Sequence, residues 1–165
     1  MRGVIAGLAV VGAVAAGCVD GVREGAVWRY ENLDGTNATG GNGRMTSPNG
    51  GAPSVAVLGN EQFVFSSAPI ASKSVLRLAH FSAGAWSFIT LDGPGSTVPG
   101  HAEYPLDYQT APVVYNGQVH VFYGINQPEG VSLRHAWLDA GTWKFEYLDG
   151  PAAPAGNGRT TNEIQ

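Results

Sequence analysis

A chain of 165 residues, 44% hydrophobic and 13% charged, has the length of about one domain and enough apolar material for a core. Its 9 basic and 13 acidic residues leave a net charge of -4 with no basic stripe to track a phosphate backbone, which excludes nucleic acid as a natural partner. The 24 glycines and 10 prolines follow no collagen period and instead mark turns, while a lone cysteine rules out an internal disulfide and any CxxC-type metal or redox site.

In chain order, the first element is MRGVIAGLAVVGAVAAGC. It has one charge at Arg2, an apolar run from Val4 to Ala16, and small residues leading to Cys18. A Gly/Ala-rich run of this length suits the h-region of an export signal better than a membrane span. AAGC resembles the lipobox of bacterial lipoproteins, with Ala15 where that family prefers Leu. The resemblance implies removal of residues 1–17, lipidation of Cys18, and a linker over 18–25 that tethers the mature chain to the cell envelope. An ordinary signal peptide with secretion, or an N-terminal anchor, is the alternative.

From Trp28 one phrase recurs at an almost constant interval: WRYENLDG (28–35), WSFITLDG (86–93) and WKFEYLDG (143–150). VLRLAHFSAGAWSFITLDG lies over SLRHAWLDAGTWKFEYLDG without a gap. Upstream, APSVAVLGNEQFVF matches APVVYNGQVHVF if a two-residue gap is placed at the turn. GNGR at 41–44 returns at 156–159. The chain is therefore an array of one supersecondary unit. Alternation of β-branched and aromatic residues between NG, QPEG and DAG turns predicts strands, and no amphipathic helix is expected.

The predicted elements are a lone outer strand at 26–35, a four-stranded unit at 52–93, a second at 110–150, and a linker at 151–165. The strands fall at Ser54–Leu58, Gln62–Ser66, Val75–Phe81 and Ala85–Leu91, then at Val113–Tyr115, Gln118–Tyr123, Leu133–Leu138 and Thr142–Leu148. Four short antiparallel strands per repeat predict an all-β fold of β-propeller blades. Two complete blades do not close a ring, so the sequence is expected to be the front part of a longer protein or to self-associate.

In WKFEYLDG, Trp143, Phe145 and Tyr147 share one face, with Lys144 and Glu146 on the other. The Asp of LDG is read as a turn-closing side chain and the Gly as its positive-φ neighbour. LRHAW, GTWKFEYLDG and NGQVHVFY resemble the blades of bacterial and fungal lectin-type propellers, the tectonin-like and fucose-binding group, and more distantly those of sialidase-type propellers. LDAGTW (138–143) sits where the latter carry an Asp box, but it lacks the full spacing and Ser82 replaces the Asp in the previous unit, so no sialidase site is carried over.

The lectin resemblance implies glycan sites in clefts between blades. An aromatic ring would meet the sugar face and Arg or a carboxylate its hydroxyls, with Arg77, Arg134, Trp86, Trp137, Trp143 and Glu146 as candidates. Inter-blade packing is the other role open to the same residues. His120 and His135 replace Phe63 and Leu78 of the previous unit. Pairing Tyr123 with Ser132 would set the two imidazoles face to face, as a hydrogen-bonded pair or, alternatively, two ligands of a metal site that needs at least one more. There is no GxSxG or HExxH motif, and GNGR lacks the Lys-Ser/Thr of a phosphate loop. Glu103 and Asp107 are expected in a solvated linker. These features predict a non-enzymatic envelope lipoprotein, without cofactor, that binds glycans. A protein-binding scaffold and a truncated sialidase-like glycoside hydrolase are the alternatives.

Overall fold

The computed structural model describes residues 31–45, 51, 53–70 and 73–160, apart from the side chain of Tyr108. The expected export signal, Cys18, the 18–25 linker and residues 26–30 of the expected lone strand, Trp28 among them, lie outside the described residues, and the described part of that segment, 31–35, is not a strand. Among the described residues no helix is long and apolar enough to cross a membrane. The elements are β1 (Ser54–Leu58), β2 (Glu61–Ile70), β3 (Lys73–Ser82), β4 (Ala85–Asp92), β5 (Leu106–Tyr115), β6 (Gln118–Gln127), β7 (Gly130–Asp139) and β8 (Thr142–Asp149). They form two four-stranded antiparallel meanders in the orders β1-β2-β3-β4 and β5-β6-β7-β8. The all-β expectation is met.

The two sheets are the same object displaced by one repeat: β2, β3 and β4 begin and end at one constant offset from β6, β7 and β8. The first hairpins obey the same offset, since Leu58 pairs with Glu61 and Tyr115 with Gln118. The two-residue gap suggested by the AP dipeptides is thus replaced by a gap-free match, because both hairpins have a two-residue loop and loop length sets register. Asn116 and Gly117 have φ of 48° and 72°, the double positive φ that a type I′ turn requires.

Apart from β1 the strands are longer than predicted, above all β5, which starts at Leu106 rather than at Val113. Leu106 pairs with Ile125, the register then slips, and pairing resumes at Thr110 with Tyr123. This bulge places Asp107 on a strand instead of in a linker. Gly124 allows it, since a Cβ there would stand 2.9 Å from the Cβ of Asp107.

Alternation gives each sheet two different faces. Phe63, Phe65, Leu76 and Leu78 of the first sheet meet Val119, Val121, Tyr123, Ile125 and Ala136 of the second in one core, where the rings of Phe65 and Trp143 pack edge to face at 6.0 Å. Each large side chain buried there stabilises the fold by about 1.5–3 kcal/mol. On the other face of the first sheet, Ala79, Trp86 and Phe88 are covered by Leu33. The other face of the second sheet carries Val113, Tyr115, His120, Phe122, His135 and Trp137, and no further sheet lies on it among the described residues.

Candidate functional site

The LDG aspartates do more than close turns. One oxygen of Asp92 accepts the N–H groups of Gly93 at 2.9 Å and Ala102 at 2.5 Å, which fixes the loop leaving β4. Its other oxygen accepts the Tyr123 hydroxyl at 2.5 Å and lies 2.8 Å from Arg134 Nε, an ion contact rather than an in-line hydrogen bond. Asp34 repeats the arrangement, taking Met45 N–H at 2.5 Å on one oxygen and Arg77 Nε at 3.0 Å on the other. Each carboxylate therefore ties its own loop to the third strand of the following sheet. The glycine after it must be glycine: Gly35, Gly93 and Gly150 have φ of 101°, 100° and 95°.

The loops complete a clamp. Arg77 donates through Nη2 to the Gly43 carbonyl at 2.7 Å, and Arg134 donates likewise to the carbonyl of Gly100. Asn42 accepts the Phe88 N–H at 3.1 Å, and the Arg44 guanidinium stands 4.9 Å above the Phe88 ring. The Arg134 guanidinium stacks on Tyr147 at 4.5 Å and on Phe145 at 5.1 Å. Burial pushes the Tyr123 phenol well above the ordinary tyrosine range, and the Asp92 charge and hydrogen bond add to this against the opposing Arg134. Arg77 and Arg134 are each only 4% exposed. Arg134 and Trp143 pack between the two sheets, whereas Arg77 and Trp86 lie on the other face of the first sheet, against the 33–44 segment.

Trp137 and Glu146, the remaining glycan candidates, come together on the outward face of the second sheet. The register is two residues from the one expected, with His120 opposite Trp137 and His135 opposite Phe122, because β6 and β7 run on to a turn at 128–129. The histidines still meet as diagonal neighbours: His120 Nδ1 lies 2.9 Å from His135 Nε2, and His135 Nδ1 lies 2.9 Å from Glu146 Oε1. An ionised Glu146 only accepts, so His135 donates from Nδ1 and receives the His120 Nδ1–H at Nε2. The rings form a ladder, with His135 stacked on Phe122 at 4.6 Å and on Trp137 at 4.9 Å. Lys144 stands opposite Trp137 on β8.

At the matching place in the first sheet, His80 stacks on Phe63 at 4.3 Å and contacts Glu61 at 2.9 Å. Hydrogen bonds from His80 and Ser82 hold the Glu61 carboxyl below its ordinary range. Sequence reasoning missed the open groove of about 590 Å³ beside the β5 bulge, lined by Asp107, Gln109, Phe122 and Leu133. The glycine inside β6 was the available signal, since a strand glycine often marks a bulge or a close approach. Among the described residues no group of three or more His, Cys, Asp or Glu is placed to hold a metal ion. No known family model, curated protein or solved structure matches this chain.

Proposed function

We propose that the two sheets are blades of a β-propeller-type glycan-binding module, held at the cell envelope through Cys18, that works by binding and not by catalysis. The observation that carries this is the aromatic ladder ending in Trp137, with Glu146 held in place by His135 and Lys144 across the strand pair. The half-buried indole offers a flat apolar partner for a sugar face, the His135-bonded carboxylate a fixed acceptor for its hydroxyls, and the exposed Lys144 ammonium a donor beside it. The site lies at the outer edge of its face. In the covered face of the first sheet the same edge stays open: the side chain of His80, in the place of Trp137, is 27% exposed, and Ile89, in the place of Glu146, is 39% exposed. A cleft at this edge thus tolerates a neighbouring blade. Single sites of this kind bind weakly and gain strength by repetition on a multivalent surface.

The test is a glycan array on the purified full chain, followed by titration of the best glycan. Trp137→Ala should weaken binding about tenfold or more while far-UV circular dichroism stays unchanged. A folded Trp137→Ala protein that binds as well as wild type, or a folded wild type that binds no glycan, refutes the site. Val113 and Tyr115, exposed on the inner half of the same face, support a second reading as a protein-binding scaffold. Recovery of a discrete protein partner without glycan binding would favour that alternative.

A further inference from the structure

The clamp that ties one sheet to the next is written three times and filled twice among the described residues. Asp149 makes the same two loop-closing contacts as Asp92, accepting Gly150 N–H at 3.0 Å and Thr160 N–H at 2.6 Å, the second of which matches Met45 N–H on Asp34. Among the described residues no arginine meets its other oxygen. LDGPAAPAGNGR (148–159) and LDGTNATGGNGR (33–44) have equal length and agree at eight of twelve positions, including the Asp that holds Arg77 and the Asn-Gly-Arg that holds Phe88.

The adjoining sheet face is open in the same way. The outward face of β5–β8 corresponds, one repeat on, to the face of β1–β4 that the second sheet covers. The face that would fit it must present an arginine on its third strand and a phenylalanine on its fourth. The first sheet of this chain does so with Arg77 and Phe88, and the inner edge of that face is exposed, Val57 at 44%. The receiving face is exposed at the matching edge, Tyr115 at 64%.

The geometry points to a head-to-tail contact between copies of this chain. The outward face of β5–β8 in one copy receives the first sheet of a second copy, and the 148–159 clamp takes that copy's Arg77 in place of its own 33–44 segment. The contact is heterologous, so among the described residues each copy keeps an open face to which a further copy adds. It does not depend on glycan binding, because the Trp137 edge lies outside the covered half of the face.

The internal interface supplies the ruler. Ser54 Oγ meets Thr110 Oγ1 at 2.5 Å across the two sheets, and moving both by one repeat gives Ala111 of one copy beside Pro53 of the next. With Cys18 replaced by Ser, a mixture of Ala111→Cys and Pro53→Cys full-length proteins should form a mixed disulfide dimer under mild oxidation, and neither alone should do so to a comparable extent. Sedimentation velocity over a concentration series should show wild-type multimers. Asp149→Asn, which keeps the loop-closing oxygen, and Tyr115→Ser, on the open face, should each weaken association about tenfold or more. A monomer at every concentration, a disulfide formed equally by Ala111→Cys alone, or multimers indifferent to both surface substitutions overturns the inference. Loss of glycan binding with multimers intact would instead count only against the Trp137 site.

Discussion

At the scale of single residues, the repeated phrase is explained by two-handed side chains. Asp92 is fully buried and serves its own loop with one oxygen and Tyr123 and Arg134 with the other. Tyr123 carries a pH dependence. Its folded pKa is raised, so the folded chain keeps a proton that the unfolded chain loses above about pH 10. Its contribution is therefore intact below that value and is lost as pH rises further. Urea midpoints measured across the alkaline range should fall steeply above about pH 10 for the wild type and less steeply for Tyr123→Phe. The histidine pair behaves differently. His135→Leu alone, the residue of the preceding repeat, strands the His120 donor and should cost about 1–2 kcal/mol. Adding His120→Phe should bring stability back to within about 0.5 kcal/mol of wild type in urea unfolding, since both partners are then apolar.

At the scale of elements, the strands and their hairpins were legible because alternation and turn chemistry are local. Ser54–Leu58 is found as read, and the NG turn sits between β5 and β6. Strand ends were less legible. The continuation of β2 past Ser66 through Ser67 to Ile70, and of β6 through Gly124 to Gln127, rests on pairing with β3 and β7 rather than on propensity. The histidine register failed for that reason, as it assumed a turn that the longer strands displace. One local feature remains suboptimal. The β3–β4 and β7–β8 turns place Ala83 and Ala140 at φ of 50° and 47°, where alanine is strained and asparagine is tolerated. Ala140→Asn should therefore stabilise the chain by about 0.5–1 kcal/mol, read as a raised urea midpoint with an unchanged slope.

At the scale of the whole molecule, one clamp design joins consecutive repeats, and this was the part hidden from the sequence. The aspartate was recognised as a turn residue and the arginine as a ligand group, but nothing local links partners as distant along the chain as Asp92 and Arg134 or Asp34 and Arg77. The available signal was the recurrence itself, since the first two LDG phrases are each answered at nearly constant distance by the Arg of the next LR. Arg77 and Arg134 are held in buried ion pairs, while Trp137 and Glu146 stand on the outward face of the second sheet. Neither residue of a buried ion pair can be removed alone without leaving its partner uncompensated.

The most direct measurement is a double-mutant cycle on Asp92 and Arg134, with Asp92→Asn, Arg134→Met and the combination compared in urea unfolding. If the carboxylate and guanidinium tie one repeat to the next, each single substitution should cost about 3 kcal/mol or more, and the double should cost well below their sum, with a coupling of about 2 kcal/mol. Single costs that simply add, with a coupling below about 0.5 kcal/mol, would contradict the clamp as the link between repeats.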